Sequence, residues 1–211
     1  MRDVQAARGA SLSDPAEEQP GTSAGAERDA GDTTGRSPVL PRRRTALLFL
    51  VGALILAVDV ISKTLVVRDL TGRPPVKVLG GFVYLVETRN TGAAFNFAEG
   101  QTVVLSIVAL AVVAAIVRFA GRLRSVGWAI CLGLILGGAL GNLVDRIFRP
   151  PGPFRGAVID WISLLSRDGS VWPIFNIADS SLVAGVLLAI LLELLGRRID
   201  GSGGRRGSAR V

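Results

Sequence analysis

The sequence predicts an all-α membrane protein of four transmembrane helices with both termini on the cytoplasmic side. Three observations carry that prediction. Four apolar runs, at residues 45–67, 102–120, 126–147 and 175–195, each reach about the 20 residues that cross a hydrocarbon core of about 30 Å. Mean hydropathy is +0.47 even though the 211-residue chain carries a net charge of +7. Arginine clusters stand beside alternate ends of the runs, as the positive-inside rule expects of cytoplasmic loops, although Arg68, Arg73, Lys77, Arg89, Arg149, Arg155 and Arg167 in the outer loops make this a bias.

In chain order, residues 1–41 are rich in Ala, Gly, Asp, Glu, Ser and Arg without apolar periodicity, so they read as a disordered cytoplasmic tail. Arg42, Arg43 and Arg44 then precede the first run. That run is too long for a signal peptide, contains Asp59 and Lys63, and has no clean cleavage site after it, so it is expected to stay attached. In the first outer loop, Val76-Lys77-Val78-Leu79, a Gly80-Gly81 turn and Phe82-Val83-Tyr84-Leu85-Val86-Glu87 suggest two or more short strands at the outer membrane surface. Arg118, Arg122 and Arg124 fill the link between the second and third runs. In the third run Gly133, Gly137 and Gly141 form a small-residue stripe suited to close helix packing. A short outer loop carrying Asp160 leads to the fourth run, which Arg197 and Arg198 follow. Residues 42–196 thus form the membrane domain, and 197–211 a second polar tail.

Composition limits the chemistry. The chain has no histidine and a single cysteine, Cys131, inside an apolar run. Serine–histidine and cysteine–histidine nucleophiles and zinc sites of the HExxH type are therefore excluded, as are an intramolecular disulfide and a cysteine-based metal site. No cofactor or metal is expected. The basic charge is read as membrane-flanking arginine, so nucleic acid is not expected as a partner.

Four carboxylates fall at one depth. Asp145 ends an outward-running helix, Asp179 begins an inward-running one, Asp160 lies in the loop joining them, and Asp59 is in the outer half of the first helix. Each has a plain structural reading. Asp59 and Lys63, four residues apart, can neutralise one another as a buried pair. Asn142, Asp145 and Arg146 share a helical turn and serve either binding or bundle stabilisation, with Arg146 also able to reach the headgroups. Asn176 can cap the fourth helix with Asp179 at its third position. Asp160 has no such role and needs a partner, for which Asp179 is the most economical candidate. Two carboxylates in one site titrate as a unit, supplying one base to activate water and one acid to polarise a carbonyl. Two rival readings use the same residues. A hydroxyl–lysine protease would employ Ser62 or Thr64 with Lys63, although neighbours on a helix point apart. A transporter would use the acids as a relay but would place them at several depths, where only Glu193 departs from the cluster.

Five segments in order, Asp59-Val-Ile-Ser-Lys63, Asn90-Thr-Gly-Ala-Ala-Phe95, Gly138-Ala-Leu-Gly-Asn142-Leu-Val-Asp145-Arg146, Val158-Ile-Asp160 and Phe175-Asn176-Ile-Ala-Asp179, resemble the bacterial lipoprotein signal peptidases over residues 45–196. Trp161 stands where that family commonly has Phe, and Asn96 where it commonly has Ser. The resemblance implies four transmembrane helices with a small extracytoplasmic β-sheet cradle and a short outer-loop helix. It implies an aspartic endopeptidase of the bacterial inner membrane, active toward the outer leaflet, that removes signal peptides from diacylglyceryl-modified prolipoproteins and is blocked by globomycin. By the same match Asp160 and Asp179 are the catalytic pair, and Asn90, Gly92, Asn142, Arg146, Asn176 and Ala178 surround it and position substrate. Asp59, Lys63 and Asp145 are structural. The implied partners are prolipoprotein substrate and membrane lipid, with the enzyme acting as a monomer.

Overall fold

A computed structural model describes residues 43–92 and 102–202. The expected N-terminal tail, the Ala93–Phe95 and Asn96 positions of the second motif, and most of the C-terminal tail lie outside the described residues. The four apolar runs form α1 (Thr45–Leu70), α2 (Thr102–Phe119), α3 (Val126–Phe148) and α4 (Ile177–Leu194). All four are long and apolar enough to span a membrane. Outside them lies a three-stranded antiparallel sheet of β1 (Val76–Val78), β2 (Val83–Asn90) and β3 (Val158–Leu164), in that spatial order.

α3 is the central helix: half of its apolar stretch is buried, against 17% in each of the others. The glycine stripe explains how. A side chain at Gly133 would meet Val51 and the Leu48 carbonyl of α1, and one at Gly137 would meet Ile55 and the Gly52 carbonyl, each within 3 Å. One step round the helix, Gly138 rests against the Ala178 carbonyl of α4, and Gly185 of α4 returns the contact against Ile135. Without lipid-side hydrophobic drive, such backbone approach is the principal attraction between membrane helices.

The sheet corrects one sequence expectation. Asp160 is not in a loop but in β3, whose Val-Ile-Asp-Trp-Ile stretch pairs with β2 in the register Thr88↔Asp160 and Asn90↔Val158. Its β-branched and aromatic residues suit a pleated, half-buried surface, and β2 supplies the edge that a lone segment lacks. Phe175 likewise belongs to the extended chain, bridging to Ile162, so α4 begins two residues later than its apolar run. Among the described outer-loop residues the helical element is a single 3-10 turn, Leu79–Gly81, between β1 and β2.

The arginine-bearing ends of the helices meet at the far end of the bundle. The Arg44 amide donates to the Leu123 carbonyl at 2.9 Å, and the Arg124 and Ser125 amides both donate to the Ile199 carbonyl. Leu48, Ile116, Ala120, Leu123, Ala129 and Leu136 form the apolar core on this side.

Candidate active site

α4 starts at a reciprocal cap. The Asn176 side chain accepts from the Asp179 amide at 2.9 Å, and the Asp179 carboxylate accepts from the Asn176 amide at 3.2 Å. This is the capping arrangement expected from the spacing, and it satisfies two amides that a helix start leaves unpaired. It does not exhaust Asn176, whose Nδ2 donates to Asp160 Oδ1 at 2.7 Å. The cap therefore holds the two aspartates to one residue. Sequence spacing suggested a choice between capping and chemistry, and the geometry makes them compatible.

Each carboxylate has a second amide. Asn90, at the end of β2, donates to Asp160 Oδ2 at 2.9 Å while its own carbonyl oxygen accepts from the Gly92 amide. Asn142 on α3 donates to Asp179 Oδ1 at 2.8 Å. A break in register between Leu85 and Thr88 lets β2 deliver Asn90 alongside β3. Asp160 is 2% exposed, and burial pushes its carboxyl up to about 7. The neighbouring negative charge of Asp179 pushes the same way, while the amides of Asn90 and Asn176 and the Lys63 charge pull against it. Asp160 thus has Asn90 and Asn176 as direct partners, and Asp179 acts on it through charge.

Beneath the pair lies a buried ionic cluster centred on Lys63. Its fully buried ammonium stands 2.7 Å from Asp59 Oδ2 and 2.9 Å from Asp145 Oδ2, and donates to Asn142 Oδ1 at 3.1 Å. Asp59 also accepts the Ala178 amide at 2.9 Å, which pins the first turn of α4 to α1. Asp145 accepts the Ile159 amide at 3.2 Å and pairs with Arg149, so it fixes the strand that carries Asp160. Two cations and two anions balance the cluster, as burial demands. The expected Asp59–Lys63 pair is present, and Asp145 is a third member. Arg149 was missed by sequence reasoning, although its spacing of four from Asp145 was the available signal.

Arg146 is 7% exposed and does not reach for the headgroups; its Nη2 donates to the Gly92 carbonyl at 3.3 Å, and its buried Nε has no partner among the described residues. Asp160, Asp179, Asn90, Gly92, Asn142, Arg146 and Asn176 are therefore brought together. Ala178 is fully buried and meets the site through its backbone, its methyl facing Gly141. The hydroxyl–lysine arrangement is not formed. Ser62 and Thr64 donate to the Asp59 and Val60 carbonyls of their own helix, and Lys63 Nζ is engaged by Asp59, Asp145 and Asn142.

The chain matches known proteins over this region. Residues 51–195 match the family model for signal peptidase (SPase) II. A protein from Mycolicibacterium smegmatis named lipoprotein signal peptidase is 49% identical over 170 residues, covering 81% of this chain and 70% of that relative. One of the same name from Rhodococcus jostii is 44% identical over 178 residues, covering 83% and 87%. A bacterial membrane enzyme solved by the in meso method at 2.3 Å resolution superposes with a TM-score of 0.64 at 27% identity, over 82% of this chain and 98% of that one. With the family model matching most of the membrane domain, the chain belongs to the signal peptidase II family.

Proposed function

We propose that this membrane enzyme cleaves signal peptides from lipoproteins with Asp160 and Asp179 as the catalytic carboxylates, one as base and one as acid. The observation that carries the reading is the pairing itself. Two carboxylates are bound to a common asparagine, and one of them is raised to about 7, so about half of the molecules keep its proton at neutral pH, where an isolated aspartate would have lost it.

In the first step the ionised carboxylate takes a proton from water as the oxygen attacks the scissile carbonyl. The protonated partner donates to the carbonyl oxygen. Collapse of the tetrahedral species breaks the C–N bond, and the proton gained from water passes to the departing amine. The products are a signal peptide ending in a carboxylate and a lipoprotein beginning with the amine of its lipid-modified cysteine. Arg146, buried nearby with an Nε that has no partner among the described residues, offsets the single negative charge of the pair and offers a donor to a substrate carbonyl. Asn90 and Asn142 orient the carboxylates. Lys63, Asp59 and Asp145 hold α1, α3, α4 and β3 in register and touch no reacting atom.

The sheet and the pair lie at the end of the bundle opposite Arg44, Arg122, Arg124 and Arg197, which supports a site facing the outer leaflet of a bacterial inner membrane. A diacylglyceryl-modified substrate would keep its acyl chains in that leaflet and present the preceding peptide bond at the depth of the pair. One chain carries every group used, which supports an enzyme acting as a monomer. The test is cleavage of a prolipoprotein in membranes by Asp160→Asn and Asp179→Asn variants. Each is expected to lose activity by ~10²-fold or more, and near-normal cleavage by either would refute the assignment. Globomycin is expected to protect the substrate by occupying the pair.

A further inference from the structure

At the end of the bundle opposite the aspartates, the tethers between helix ends border an open cavity of about 750 Å³. Its walls include Phe119, Arg122, Trp128, Arg197, Arg198 and Ile199. The frame is built from hydrogen bonds. Trp128 Nε1 donates to the Arg197 carbonyl at 2.6 Å, the Arg197 amide to the Leu192 carbonyl at 2.9 Å, and the Ile199 carbonyl accepts the two amides from the α2–α3 link. The arginines therefore stand on anchored backbone.

The charge of the walls is unequal. Three guanidiniums face two carboxylates, Glu193 and Asp200. Asp200 is already engaged by the amide and hydroxyl of Ser202 at 2.9 and 2.6 Å, with Arg198 near it. Among the described residues Arg122, Arg197 and Arg198 form no ion pair. Arg122 lies over the Phe119 ring at 5.6 Å, a contact that uses the face of the guanidinium and leaves its N–H edge for an anion. The surroundings are apolar: Phe119 and Ile199 are exposed lining residues, and Val126, Leu194 and Leu195, close to lining residues in the chain, are exposed too. A soluble anion would use the arginines and waste the apolar rim. A phospholipid uses both.

We propose that this cavity is a binding site for an anionic phospholipid of the leaflet at the arginine end, with the phosphate against Arg122, Arg197 and Arg198 and the acyl chains along the exposed apolar residues of α2 and α4. The site is separate from the aspartate pair and takes a lipid that is not substrate.

The test uses the full chain with Trp128 as its only tryptophan (Trp161→Phe, Trp172→Phe), reconstituted in phosphatidylcholine vesicles with increasing phosphatidylglycerol. Quenching of Trp128 is read with bromine on the chains of one lipid or the other. Brominated phosphatidylglycerol is expected to quench at about five-fold lower mole fraction than brominated phosphatidylcholine. The Arg122→Gln/Arg197→Gln/Arg198→Gln variant is expected to lose that preference, and the corresponding triple lysine variant to keep part of it. Prolipoprotein cleavage by the glutamine variant reports that it is folded. Equal quenching by the two lipids in the protein with its arginines intact would overturn the proposal, and that comparison needs no variant at the site. Abolition of the preference by inorganic phosphate at constant ionic strength would also overturn it, because the occupant would then be a free anion.

Discussion

Asn176 donates to Asp160 across 2.7 Å from the residue that caps α4, so the start of a helix and the setting of a carboxylate depend on one side chain. The two duties separate by substitution. Serine accepts an amide hydrogen bond at a helix start about as well as asparagine, whereas alanine costs about 1 kcal/mol there. Neither reaches Asp160. Asn176→Ser is expected to keep most of its thermal stability and Asn176→Ala to lose that of a cap, while both lose cleavage by a similar factor. Stability and cleavage measured on the same preparations check this, and full activity in the serine variant would remove Asn176 from the machinery.

The raised carboxyl of Asp160 fixes the direction of two pH effects. The ordinary value is 3.8 and the folded value about 7, so between them the folded protein retains a proton that the unfolded chain has released. Its contribution to stability therefore declines as pH rises through that window. Asp160→Asn is expected to flatten this part of the stability profile. Activity follows the same proton, with kcat/KM falling on the alkaline side of about pH 7. The amide of Asn90 favours the ionised form, so Asn90→Ala makes the proton harder to remove and is expected to shift that alkaline limb upward. A downward shift would contradict the geometry.

The order of helices and the depth of the acids were legible because membrane spans need long apolar runs and buried charges stand out within them. Spacing along one helix gave the Asp59–Lys63 pair and the Asn176 cap. What spacing could not give was contact between elements. Lys63 and Asp145 lie far apart in sequence, as do Asn90 and Asp160, and only the packing of α1 on α3 and the pairing of β2 with β3 bring them together. The strand around Asp160 looks like a loop in the sequence because its partner edge, β2, is supplied from the first outer segment. Arg149 carried a visible spacing signal, but as an arginine at a helix end it resembled its headgroup-facing neighbours.

Lys63 sits between two buried acids, so its removal leaves charge without compensation. Lys63→Met is expected to cost about 3–5 kcal/mol, the range for breaking a buried pair, and to lower the yield of folded protein. Pairing it with Asp59→Asn removes one orphaned charge, while Asp145 keeps Arg149 and the Ile159 amide. The double variant is expected to recover stability and part of the cleavage per folded molecule. A lysine acting as general base would allow no such recovery.

Gly141 lies where α3 meets both Asp59 of α1 and Ala178 of α4. A Cβ there would lie 2.5 Å from Asp59 Oδ2 and 3.1 Å from the Ala178 methyl, inside the contact that ties α1 to the first turn of α4. Neither neighbour can yield without loss. Asp59 is held by Lys63, and the Ala178 amide is one residue from Asp179. Gly141→Ala is therefore expected to destabilise by about 1–3 kcal/mol, the usual range for overpacking, and to lower kcat through displacement of Asp179. Gly121→Ala, where the added carbon meets nothing within 4 Å, serves as the comparison and is expected to leave cleavage unchanged. Thermal midpoints and cleavage rates of the two variants in the same lipid decide the matter. Equal behaviour would mean that the close approach at Gly141 does not set the position of the pair.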